Sequence, residues 1–197
     1  MNRLSNLLIC IGAALVLSLG SVLAGQIQKP VRKKMVLVFE PGRYRTLDDL
    51  WEHSDPIVSV VVQAARPRDR VYPTGNPLIS TAFEALVVEA FKPGSRHIVP
   101  GSVITIAILG GLRDRGAYIE EYGDKEYPGL QLQVGGRYVL FLQGGPGGPE
   151  FGVSPDGVFA LTNNSVTAIG HNPVSVMMRG MSASGLVSTL SRLGGVQ

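Results

Sequence analysis

Apolar positions fall mostly in short runs along this chain, and one run, TAFEALVVEAFKPG at residues 81–94, fits two periods at once. Phe83, Leu86, Val87, Ala90 and Phe91 stand at i, i+3, i+4, i+7 and i+8, the stripe of an amphipathic helix, and Thr81 with Glu84 has capping-box spacing. Phe83, Ala85, Val87 and Phe91 also share one face of a strand, with Glu89 interrupting it. The β-branched pair Val87-Val88, the stop at Lys92-Pro93-Gly94 and a strand-like run soon afterwards favour the strand.

The other runs follow the same rhythm. MVLVFE (residues 35–40) reads as a short strand stopped by Pro41-Gly42. TLDDLWEHSD predicts a short helix capped by Thr46, with Asp48 and Asp49 in its first turn, Leu47, Leu50 and Trp51 on one side, and an end at Pro56. IVSVVVQAA (57–65), VITIAIL (103–109, apolar on both faces) and RYVLFLQ (137–143) read as strands. RPRDRVYPTGNP (66–77), with three prolines and a glycine, reads as a loop. FGVSPDGVFALT (151–162) reads as a hairpin, because Pro155-Asp156-Gly157 is turn chemistry between apolar runs. SASGLVSTLSRL (182–193) reads as a helix with Leu186, Leu190 and Leu193 on one side. No internal repeat is visible.

Several short strands with Gly/Pro punctuation predict a mainly β chain: a small five-stranded OB-like Greek-key barrel with short flanking helices. The expected division is a signal peptide at 1–24, a basic linker and short strand at 25–45, the barrel at 46–170, and a tail with a short helix at 171–197. Composition agrees, since 45% hydrophobic and 17% charged residues supply a core and exclude a disordered chain.

The first segment has a basic start at Arg3, an apolar run at 7–24, and Val22-Leu23-Ala24 before Gly25, which predicts a cleaved secretory signal. The chain is thus expected to be exported, periplasmic or extracellular; the alternative is a membrane anchor kept at 7–24, which Lys29, Arg32, Lys33 and Lys34 on the following side oppose. Loss of residues 1–24 removes Arg3 and no acid, so the formal charge of +3 becomes +2, which does not suggest a nucleic-acid partner. It also removes Cys10, the single cysteine, so neither disulfides nor thiol chemistry is expected.

Three stretches together carry a resemblance: TAFEALVVEAFKPG, then GSVITIAILGG, then the pattern L-x-V-G-G-R-Y-V-L-F-L ending at Leu142. Over residues 47–162 the chain resembles a group of exported bacterial domains of uncharacterised role, whose barrel is similar to OB-fold and netrin-like domains, the tissue inhibitors of metalloproteinases among them. The resemblance implies a fold class and export and brings no catalytic residue. The inhibitors' N-terminal cysteine and disulfides have no counterpart here.

Candidate chemistry is sparse. His53, His97 and His171 lack ligand spacing, so no metal and no cofactor is expected. GMSASG (180–185) lacks the second glycine two residues after Ser182 that a nucleophile elbow needs, and GGPGGPE (144–150) lacks the end of a phosphate loop and reads as a flexible connection. An enzyme is not expected; a hydrolase using Ser182 with His171 is the distant alternative. RDRGAYIEEYGDKEYPG (113–129) sets Tyr118, Tyr122 and Tyr127 among carboxylates, either a recognition surface or a solvated excursion with a helical turn. In an OB-like barrel the loops flanking the ligand face would include Arg66, Arg68, Arg70 and Tyr72. These seven residues are the expected contacts to a protein or saccharide partner, with a solvated connector the plainer alternative.

Overall fold

Alternation of buried and exposed side chains, together with the bulges that interrupt it, shapes this protein. The structure is a computed structural model that describes residues 31–37, 44–71, 77–109, 111–114, 118–124, 132–144 and 149–195. The chain divides into two units, Met1–Val31 and Arg32–Gln197; of the first only Val31 is described. The signal segment, Cys10, Lys29, Tyr72, Tyr127 and the glycine-rich residues 145–148 therefore lie outside the described residues.

The described elements are β1 (Val31–Leu37), α1 (Leu47–Glu52), β2 (Ile57–Val71), β3 (Pro77–Lys92), β4 (Val103–Leu109), β5 (Gly111–Asp114), β6 (Tyr118–Asp124), β7 (Arg137–Gly144), β8 (Phe151–Thr162), β9 (Ser165–Ala168), α2 (Pro173–Met178) and α3 (Ala183–Leu193). Strands β1, β6 and β5 form a small sheet of their own, and the main sheet runs β4-β3-β2-β7-β8-β9. Its neighbours are antiparallel, but β4 also meets β8 in parallel at Ile106↔Phe151 and Ala107↔Gly152. That short contact brings the sheet partly round into a ring of β4, β3, β2, β7 and β8. The fold is mainly β with short flanking helices, as the sequence predicts, and its six-stranded main sheet closes partly into a ring.

Inside the ring, Val58, Val60 and Val62 of β2 meet Phe83, Ala85 and Val87 of β3, Ile104, Ile106 and Ile108 of β4, Tyr138, Leu140 and Leu142 of β7, and Phe151 and Val158 of β8. In β2, β3, β4 and β7 each set has the period of two that puts one face of a strand in the core, while Phe151 and Val158 of β8 lie on either side of a register shift against β7. Strand β7 is buried on both faces, because Val139 and Phe141 join Phe159, Ile57 and Phe91 in a second core outside the ring. Leu47 and Leu50 of α1, Val174 and Met178 of α2, and Leu186 and Leu190 of α3 cover that core. Burial of each such side chain contributes about 1.5–3 kcal/mol, so the helices are part of the fold's stability.

The double period of residues 83–91 now has a physical cause. The pairs Ile57↔Lys92, Val58↔Ala90, Ser59↔Glu89 and Val60↔Val87 leave Phe91 and Val88 as extra residues on β3. Each bulge advances the face by one residue and bends the strand toward closure. Val87 thus faces the ring while Phe91 reaches the helices. A strand stepping between two cores imitates a helical stripe.

Capping at α1 is as expected, with the Asp49 N–H donating to Thr46 Oγ1 at 3.1 Å. Lys92 supplies what the sequence does not foretell. Its Nζ donates to the carbonyls of Trp51 at 2.9 Å and Ser54 at 2.8 Å, a cation from β3 at the helix C-terminus.

Other expectations are corrected. Residues 66–71 continue β2 rather than forming a loop; among the described residues β2 has no hydrogen-bonded strand on its second edge beyond Val61, and such an edge tolerates Pro67. Strand β4 is buried on one face only, since Val103 is exposed. The described residues of the excursion at 113–129 belong to strands β5 and β6. The strand predicted at 35–40 begins at Val31, inside the expected linker. Residues 151–162 form one strand and not a hairpin; the turn comes later at Asn163 and Asn164, both at positive φ, and leads into β9.

The C-terminal segment is no loose tail. It includes the unforeseen α2, and it is stitched along β9 by bonds from Gly180 N–H to Val166 O (3.1 Å), Val166 N–H to Met181 O (2.9 Å) and Ala183 N–H to Asn164 O (3.0 Å). An edge strand is thereby covered.

Candidate functional site

Among the described residues the ring's seam closes over two residue pairs, and before Ile106 the outer edge of β4 has no strand beside it. There the surface sinks into an open cleft of about 560 Å³, lined by Arg96, Ile98, Val103, Ile104, Thr105, Pro149 and Phe151. That volume is in the range of small-ligand sites. Ile98 packs against the inner core, so the cleft floor is continuous with the barrel interior.

Arg96, from the turn between β3 and β4, organises the rim. Its Nη1 donates to Pro149 O at 2.8 Å, and its guanidinium lies 4.5 Å from the centre of the Phe151 ring. A planar cation stacked on an aromatic face loses less rotamer freedom than a free arginine when it grips a ligand. Next along the chain, Glu150 is paired with Arg68 of β2. Two arginines from separate elements thus hold residues 149–151 against the barrel. Arg66, two positions before Arg68, stands 3.4 Å from Glu84 on β3. Such exposed pairs add little stability, and their importance lies in where they put charge.

The sequence-predicted residues are brought together only in part. Arg66 and Arg68 stand on β2, with Arg68 joined to the rim through Glu150. Arg70 lies further along the same strand, opposite Leu78. Tyr118 and Tyr122 are in β6, which belongs to the separate three-stranded sheet, with Tyr122 opposite Gly111. Tyr72 and Tyr127 lie outside the described residues. Arg96, Ile98, Glu150 and Phe151 are missed by sequence reasoning. Arg96 sits in a loop whose only local signal is Pro93-Gly94, and its partners lie far along the chain.

Ser182 has a structural use. It is the N-cap of α3, with Oγ accepting from the Gly185 N–H at 3.0 Å and standing 3.3 Å from Ser184 Oγ. His53 caps α1, its Nδ1 2.8 Å from Asp49 O, while His97 and His171 are exposed. Among the described residues no group of three or more His, Cys, Asp or Glu side chains is gathered for a metal, and no helix is long and apolar enough to cross a membrane. Comparison with known proteins adds nothing further: the chain matches no protein-family profile and no curated protein.

Proposed function

We propose that this chain is an exported, non-catalytic binding barrel that takes a protein or saccharide partner at the cleft in its seam. The cleft carries the reading. It combines an apolar floor (Ile98, Val103, Ile104), a hydroxyl (Thr105) and a guanidinium braced on Phe151, which suits a ligand with apolar surface and acceptor groups. In OB-like barrels ligands favour the second and third strands of the ring and the loop before the last strand; here β4 and residues 149–151 occupy those places. The ring order also supports the likeness to OB-fold and netrin-like exported domains. The apolar run at residues 7–24, behind Arg3 and ahead of Gly25, supports export.

The test uses the full chain and two surface variants, Val103→Asp at the cleft and Val176→Asp on α2, both at exposed positions. Immobilised protein is offered envelope proteins and a panel of neutral and anionic saccharides. Val103→Asp is expected to weaken binding at least about tenfold, or about 1.4 kcal/mol, while Val176→Asp binds as wild type. Equal binding by both variants, or no ligand of either class, overturns the proposal.

A further inference from the structure

Strand β4 has two edges, and its neighbours use them unequally. In an antiparallel ladder, residues that exchange hydrogen bonds alternate with residues that do not. The Val87 N–H donates to Ser102 O at 2.9 Å, and the register runs on through Leu86↔Val103, Ala85↔Ile104, Glu84↔Thr105 and Phe83↔Ile106. By that alternation Ile104 and Ile106 bond to β3, while Val103 and Thr105 turn their N–H and C=O groups toward the outer edge.

Phe151 and Gly152 fill that outer edge in parallel, opposite Ile106 and Ala107. One step back along the same ladder, Pro149 would stand opposite Ile104, donating to Val103 O and accepting from the Thr105 N–H. It cannot donate, because proline has no N–H, and its carbonyl accepts instead from Arg96 Nη1 at 2.8 Å. Strand β8 accordingly begins at Phe151, and among the described residues no other strand takes the vacated place. Val103 is exposed, so its side-chain face is not covered either. The edge of β9, by contrast, is covered by residues 180–183. An uncovered edge is a template for one more strand.

We propose that the partner presents an extended peptide that adds as a strand to β4 along residues 103–105, in the place β8 leaves at Pro149, with a carboxylate beside Arg96. This rests on the cleft reading above and narrows it from protein or saccharide to polypeptide. Two features decide the choice. Alternating N–H and C=O groups along a strand edge match another backbone, and the hydroxyls of a sugar have no such repeat. Among the described residues the cleft lining carries one charge, the Arg96 cation, and an acidic side chain or chain end complements it. Ile98 and Phe151 give an apolar seat to the peptide's alternate side chains.

The test offers the full-length chain a library of hexapeptides rich in β-branched residues, each with an aspartate or a free C-terminal carboxylate, beside the saccharide panel. A selected peptide is expected to slow exchange of the Val103 and Thr105 amides about tenfold and to leave that of Ile104, which bonds to β3, unchanged. N-methylation of the peptide on alternate amides is expected to weaken binding at least about tenfold in one phase and less than about twofold in the other, because only alternate amides face β4. Thr105→Pro deletes one outward N–H at an edge position, where proline is tolerated, and is expected to weaken binding at least about tenfold. The methylated peptides leave the protein untouched and decide the matter whatever Thr105→Pro does to folding. Arg96→Gln is expected to weaken the acidic peptide more than its uncharged amide analogue. Equal effects of both methylation phases, or self-association of the chain that Thr105→Pro abolishes, overturns the peptide strand. A saccharide bound in place of every peptide, and weakened by Val103→Asp, overturns it while the cleft reading stands; no ligand of either class overturns both.

Discussion

Ile106→Asp is expected to destabilise the protein by about 4 kcal/mol or more and to abolish folding if the barrel has ordinary stability. Ile106 is wholly buried, lies among the inner-core side chains, and is also the residue through which β4 meets Phe151 of β8. A carboxylate there would be an unpaired buried charge at the closure point. Val103→Asp on the same strand is expected to change stability by less than about 0.5 kcal/mol, since Val103 is more than half exposed. Urea denaturation of the two variants measures the contrast. Similar losses from both would mean that β4 does not have one face in a core and one in water.

Phe141→Ala is expected to cost about 3–5 kcal/mol. The ring is 2% exposed and meets Phe159 edge-on, with centroids 5.6 Å apart and planes at 68°. Leu186, Leu190, Val174 and Met178 close over the same core from the helical side. The surroundings cannot easily collapse into the space, because the bulge of β8 wraps the Phe141 backbone while α2 and α3 are tied to β9. If the C-terminal segment were a solvated tail, Phe141 would lie on an open outer face and its truncation would cost about 1 kcal/mol or less. The urea midpoint of this variant therefore measures whether the helices belong to the fold.

Much of the barrel was legible in the sequence because its strands are β-branched runs bounded by turn residues, and the helix at 183–193 because three leucines share a face. What escaped depends on pairing. Pro67 looks like a breaker until β2 is seen to lack a second neighbour at that point. Pro155-Asp156-Gly157 has turn chemistry locally, and only the pairing with β7 on both sides keeps it within one strand. The six residues of α2 are too few to show a helical period, so the second core was invisible although its leucines were not. The site was less legible than the fold. Arg66 and Arg68 were found by their charge, whereas Arg96 acts through a carbonyl and a ring brought to it by ring closure. Asp156 was noticed for its turn chemistry and missed for its burial.

The cleft depends on the ring closing between β4 and β8. Backbone nuclear Overhauser contacts in the folded protein test that most directly. The parallel pairing predicts cross-strand contacts joining Ile106 to Phe151 and Ala107 to Gly152, and slow exchange of the amides in that short ladder. Absence of those contacts, with the outer-edge amides of β4 exchanging as freely as an exposed strand, would contradict it.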